Sequence, residues 1–192
     1  MAEQFKNMYR IPSARLQNWD YGWNGAYFVT ICTAHRVCYF GDIVGATNPT
    51  TKMQLSAIGK IAEQYWHEIP HHFPFVELGE FVVMPNHVHG IIIINKSNND
   101  ESPIVETPKL GVSTAPSQKW NPGTLGVIIN QYKRICTLNA RKIHAGFEWQ
   151  TRFHDHIIRN DMSFQRISEY IQNNPLKWHA DQFHDKPFST RM

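Results

Sequence analysis

Eight consecutive residues, His87-Val88-His89-Gly90-Ile91-Ile92-Ile93-Ile94, constrain the fold more than any other stretch of the chain. Four isoleucines in a row are apolar on both faces of an extended backbone. That suits a central strand covered on both sides, and it pins the register, because a slip of one residue exchanges every side chain between the faces. Alternation then sends His87 and His89 to the same face with Val88 between them. Pro85 cannot donate to a ladder and Asn86 tolerates turn geometry, so Pro85-Asn86 reads as the turn that delivers the histidines to the strand start. Two imidazoles so placed can share one cation, although two half-buried structural histidines give the same pattern.

At 192 residues the chain fits one domain with an extension, 1–192, with an N-terminal arm over 1–25, an insertion over 95–119 and a C-terminal extension over 147–192. The formal charge of +3 does not by itself identify a nucleic-acid partner. Cys32, Cys38 and Cys136 are odd in number and scattered, which excludes a disulfide framework and a Cys-x-x-Cys zinc site. No apolar run approaches the roughly 20 residues of a membrane span, and no signal-peptide core precedes Arg10, so a soluble cytoplasmic protein is expected.

The arm carries Lys6, Arg10, Arg15, Trp19, Tyr21 and Trp23 without periodicity. A strand over Ala26 to Thr33 follows, then a turn or hairpin between Gly41 and Thr51. Leu55, Ile58, Ala62, Tyr65, Trp66 and Ile69 mark a first helix closed by Pro70, and Phe75 to Met84 reads as the next strand. The Ser-, Asn-, Thr- and Pro-rich stretch 95–119 lacks an apolar face. A second helix starts at Thr124 as N-cap, with Leu125, Ile128, Ile129, Tyr132, Ile135, Cys136 and Ile143 on one stripe. A short strand and a final helix capped by Asp161 complete the chain, Asn174-Pro175 ending that helix. The order β, α, β-β, α, β, α predicts an α+β, ferredoxin-like (split βαβ) antiparallel sheet with helices on one face.

From Lys119 through Arg159 there are seven Lys or Arg against two acids, a local basic surface hidden in the whole-chain balance. Single strands are held by cations and stacking rings. Lys133, Arg134, Arg141, Lys142, Arg152 and Arg159 are candidates for the track, with Trp149, Trp178 and Trp23 as stacking rings; each also reads as a solvated cation or a core tryptophan. Tyr132, on the inward stripe of the second helix, reads either as core or as a phenol facing the histidine pair.

MPNHVHG with its isoleucine run, then Gln-Tyr-Lys-Arg on a helix, WQ-x-RF-x-DHIIRN and YIQNNPLKW closely resemble the REP-associated tyrosine transposases, among the single-tyrosine transposases of small bacterial insertion sequences. The resemblance, supported also by AYFVTICT and CYFG, covers nearly the whole chain outside 95–119. It implies an HUH endonuclease fold, and a metal-dependent single-stranded DNA endonuclease and strand transferase. His87 and His89 would hold a divalent cation, Mg²⁺ or Mn²⁺, and Tyr132 would form a 5′-phosphotyrosine at or near a REP-like DNA hairpin. A third ligand, Gln or Asn, often follows the tyrosine by one helical turn in this family. Here that position is Cys136, a poor partner for a hard cation, so Gln131, Asn139 or water would complete the shell. The mismatch keeps a second reading open, a catalytically decayed DNA or RNA hairpin-binding protein. The extension past Gly146 favours a monomer over a homodimer.

Overall fold

The computed structural model describes residues 19–45, 51–97 and 123–180, and the backbone of two short strands, β1 (Gln4–Phe5) and β2 (Met8–Tyr9). Four strands, β3 (Gly25–Cys32), β6 (Val76–Met84), β7 (His87–Ile94) and β8 (His154–Ile158), form an antiparallel sheet in the order β6-β7-β3-β8. A hairpin of β4 (Gly41–Val44) and β5 (Lys52–Leu55) stands apart from it. This is the ferredoxin-like order read from the sequence. The β6–β7 turn falls at Pro85 and Asn86, and β7 pairs with β3 from Cys32↔His87 to Gly25↔Ile94.

The helices are α1 (Ala57–His67), α2 (Ile69–His72), α3 (Leu125–Ala140) and α4 (Asp161–Gln172). Ser56 caps α1 by accepting from the Gly59 N–H at 3.0 Å, and Asn160 caps α4 by accepting from the Ser163 N–H at 2.8 Å. The α4 cap is therefore Asn160 rather than Asp161, which is the first helical residue. Pro70 lies inside the short α2, where a missing N–H costs nothing in the first turn. Ile143 lies beyond α3 and is exposed.

Alternation along β7 divides the interior in two. Val88, Ile92 and Ile94 join Tyr27, Val29 and Ile31 of β3 under α1 and α3, where Trp66, Ile128, Ile129 and Tyr132 pack. On the opposite face Ile91 and Ile158 meet Ile171 of α4, with Phe28, Val82, Phe164 and Ile167 around them. The expectation of helices on one face therefore holds for α1 and α3, and α4 is the correction. A strand of four isoleucines needs an apolar cover on each side, and the second cover is α4.

The arm reaches the core through Trp19, whose Nε1–H donates to the Tyr27 hydroxyl at 3.2 Å, while that hydroxyl donates to the Trp23 carbonyl at 3.0 Å. Most of the arm, most of the 95–119 insertion and the chain past residue 180 lie outside the described residues.

Gly90 belongs to β7 because the α1 face is filled there: a Cβ would stand 2.2 Å from Trp66 Cζ2. Gly90→Ala should lower unfolding stability by about 1–3 kcal/mol through overpacking, measured by chemical denaturation. An unchanged midpoint would mean that Trp66 does not occupy that space.

Candidate functional site

His87 and His89 stand side by side at the start of β7 on the α4 face, 0 % and 1 % exposed, with ring centroids 4.4 Å apart. Each ring is oriented through Nδ1. Asn86 Oδ1 lies 2.9 Å from His87 Nδ1, and the Asn86 amide is itself held by donation from Nδ2 to the Arg36 carbonyl at 3.1 Å. That network assigns the Nδ1–H tautomer to His87 and leaves its lone pair on Nε2. Thr30 Oγ1, directly across in β3, lies 2.8 Å from His89 Nδ1, so Nε2 is again the outward nitrogen.

The anchoring turn is strained. His35 and Arg36 have φ of 53° and 56°, a left-handed conformation that side chains other than glycine adopt at a cost. Burial holds both imidazoles neutral. His87 titrates well below the usual range through burial, then through the charges of His89 and Arg36. His89 is lowered to about 3 by burial and then by His154, against an opposing hydrogen bond that the ring donates to the Val29 backbone.

Tyr132 is not at this site. Its ring lies under α1 on the other face of the sheet, 2 % exposed and edge-on to Trp66, and its hydroxyl donates to the Ala62 carbonyl at 3.0 Å. Burial, then Cys136, pushes the phenol well above its ordinary value, and Tyr132 is a core group. Cys136 is buried beside it with its thiol also raised by burial, and its mismatch with a hard cation has no bearing on the histidines. Gln131 and Asn139 share α3 and its face of the sheet; Asn139 Nδ2 donates to the Tyr65 hydroxyl at 2.9 Å. Neither reaches the histidine pair.

A different tyrosine does. Tyr170, in the last turn of α4, places its hydroxyl 3.3 Å from His89 Nε2, with its ring edge-on to both His89 and Phe28. At 37 % exposure the phenol is open to solvent. One helical turn later comes Asn174, 1 % exposed, whose side-chain oxygen and nitrogen have no hydrogen-bond partner among the described residues. Trp178, in the 3₁₀ helix Pro175–Ala180, lays its ring against His87 with centroids 6.1 Å apart. The segment from Tyr170 to Trp178 thus crosses over the pair, touching it at both ends.

The Nε2 atoms of His87 and His89 are paired donors that could hold a divalent cation, and the buried, unsatisfied Asn174 amide on the following segment could add a hard oxygen. Among the described residues no group of three His, Cys, Asp or Glu side chains gathers as a metal site. An amide would therefore have to be the third ligand.

The basic candidates divide likewise. Lys133 donates to the Gln150 and Thr151 carbonyls, Arg141 to the Phe147 carbonyl at 3.0 Å and to Glu148, and Lys142 to Asn139 Oδ1 at 2.9 Å. With exposed Arg134 they belong to the α3 side, away from the histidines. Trp149 is half-buried and packs on Phe40, Phe147 and Tyr132. Trp178 is at the site but buried, whereas Trp23 is 53 % exposed. Arg152 and Arg159 are exposed, the first just before β8 and the second just after it.

A four-stranded antiparallel sheet of this order, with two histidines flanking one apolar residue on its central strand, defines the HUH type of transposase fold. The chain is 39 % identical over 173 residues to an uncharacterised protein of Haemophilus influenzae, covering 90 % of this chain and 92 % of the relative. It is 31 % identical over 119 residues to the REP-associated tyrosine transposase of Escherichia coli, spanning 61 % of this chain and 54 % of that protein. In fold it matches a REP-associated tyrosine transposase solved bound to a REP hairpin, with a TM-score of 0.52 at 18 % identity, over 87 % of this chain and 74 % of that one. No family model matches. The chain is thus similar to REP-associated tyrosine transposases in sequence and in fold. No helix among the described residues is long and apolar enough to cross a membrane.

Burial of two neutral imidazoles has a consequence for acid stability. In the unfolded chain they take up protons near pH 6.5, and in the folded chain only far lower, so the unfolded state binds more protons as the pH falls. The stabilisation is complete above about pH 6.5 and is lost progressively toward about pH 3. The melting temperature in metal-free buffer should fall steadily from pH 6.5 to about 4, and less steeply in His89→Asn. Equal slopes for the two proteins would contradict burial of neutral His89.

Proposed function

We propose that this protein is a metal-dependent endonuclease and strand transferase for single-stranded DNA, acting at or near a REP-like hairpin through a covalent intermediate on Tyr170. The observation that carries the reading is the Tyr170 hydroxyl 3.3 Å from His89 Nε2, on an exposed phenol beside two neutral imidazoles. The relatives support the same class, one of them solved with a REP hairpin.

His87 and His89 would hold Mg²⁺ or Mn²⁺ through Nε2, with the Asn174 carbonyl as the hard third donor. When bound, the cation supplies Lewis acidity to the phosphoryl oxygens and offsets their charge in the transition state. The chain's own groups do the rest. Asn86 and Thr30 hold the two rings in the tautomer that presents Nε2. Tyr170 Oη attacks phosphorus in line, forming the P–O bond to tyrosine as the bond from phosphorus to the 3′ oxygen breaks. The phenol gives up one proton and the departing 3′ oxygen gains one, so the step balances with no other reactant. The 5′-phosphotyrosine conserves the phosphodiester bond, and a free 3′-hydroxyl can reverse the attack and join strands. Tyrosine and histidines come from one chain, which supports action as a monomer.

The decisive experiment is SDS-resistant adduct formation with a labelled hairpin oligonucleotide and Mn²⁺. Tyr170→Phe should abolish the adduct and retain binding. Tyr132→Phe should keep it, losing only about 1 kcal/mol of stability with the hydrogen bond to the Ala62 carbonyl. Chelation by EDTA should suppress the adduct in the wild type. An adduct surviving in Tyr170→Phe overturns the assignment of the nucleophile, and hairpin binding by the wild type with no adduct selects a binding protein instead.

A further inference from the structure

The cations noted on α3 lie on the wrong face of the sheet to serve Tyr170, and three of the four are engaged by protein oxygens. The face that bears Tyr170 has its own basic groove. Ser163, Arg166 and Tyr170 recur at intervals of three and four along α4, on the flank beside its buried stripe of Phe164, Ile167 and Ile171. That flank looks toward the edge strand β8. There His154 pairs with Thr30, which touches His89, and His156 pairs with Phe28, which touches Tyr170. Both histidines are exposed.

Where α4 begins, this groove deepens to a cleft of about 500 Å³ lined by Tyr21, Asp155, His156, Ile157, Arg159, Asn160, Ser163 and Arg166. Arg159 and Arg166 are exposed and make no ion pair among the described residues. Asp155 is the single acid in the lining. Its position alternates away from His154 and His156, toward the α1 and α3 face. A guanidinium without a carboxylate partner offers its paired N–H donors to a phosphodiester, and two of them line this one cleft.

We propose that the cleft between α4 and β8 is a phosphate-binding subsite that holds the DNA strand flanking the scissile bond, with Arg159 and Arg166 as its cationic contacts. The inference rests on the proposed nuclease reading and gives the strand its path. From Arg166 one turn of α4 leads to Tyr170, so a strand lying along this flank brings a following phosphate to the phenol. The track runs along α4 and β8, not along α3.

The test measures binding alone, in EDTA, where no cleavage intervenes. A fluorescein-labelled oligothymidylate of about 12 nucleotides is titrated with the full chain across a range of salt concentrations. Arg159→Gln and Arg166→Gln should each reduce the slope of log K against log salt by about 0.7 and weaken binding about fivefold at 0.1 M salt. Arg134→Gln on α3 should leave both nearly unchanged. All three residues are exposed, and circular dichroism checks that the fold is kept. Unchanged slopes for the two cleft variants, or an equal loss in Arg134→Gln, overturn the proposal. The readout separates this inference from the nuclease reading: an arginine-dependent slope in a protein that forms no adduct upholds the cleft and rejects the nuclease, and an adduct formed with unchanged slopes does the reverse.

Discussion

Everything at the site depends on the alternation of side chains along β7. One set, Val88, Ile92 and Ile94, completes the core under α1 and α3, with Gly90 leaving room for Trp66; the other, His87, His89 and Ile91, lies under α4 and the segment that follows it. The isoleucine run makes both faces too apolar to expose, so the register cannot slip without burying imidazoles among Trp66 and Tyr132. That constraint fixes which helix can deliver a phenol to the histidines. Among the described helices only α4 lies on their side.

Much of this was legible in the sequence. The strand of His87 to Ile94, its turn at Pro85 and Asn86, the N-cap at Thr124 and the order of strands and helices all follow from local rules of periodicity, turn chemistry and capping. The histidine pair follows from strand parity alone. Tyr132 lies away from the histidine pair for an equally physical reason. An inward-facing tyrosine says that a helix buries it, not which face of a two-sided sheet it is buried against. Tyr132 sits on the apolar stripe of α3 and is a core residue for that very reason, whereas Tyr170 lies at the margin of the α4 stripe and stays half open to solvent.

A signal for the right choice was present. Two right-handed crossovers, β3 to β6 through α1 and β7 to β8 through α3, put both helices on one face, so a strand apolar on both sides leaves the last helix to cover the other. The last turn of that helix carries Tyr170, and Asn174 follows four residues on, a spacing that puts an amide shortly after the phenol. Read from Tyr132, the same spacing gave Cys136 and an apparent departure from the family. The basic surface was misread in the same way: counting charges from Lys119 to Arg159 merges two faces that the sheet separates, and most of the α3 cations satisfy carbonyl oxygens of the 147–151 loop or a neighbouring side chain.

The preparation around the histidines is costly and specific. Two successive left-handed residues, His35 and Arg36, put a carbonyl where Asn86 can bind it, and Asn86 in turn fixes the His87 tautomer. Strain, burial and neutral imidazoles converge on two nitrogen lone pairs beside one exposed phenol. The most direct measurement is mass spectrometry of the tryptic digest of the covalent DNA adduct. The account predicts nucleotide mass on the peptide from Ile167 to Lys177, which carries Tyr170; the same mass on the peptide from Trp120 to Lys133, which carries Tyr132, would contradict it.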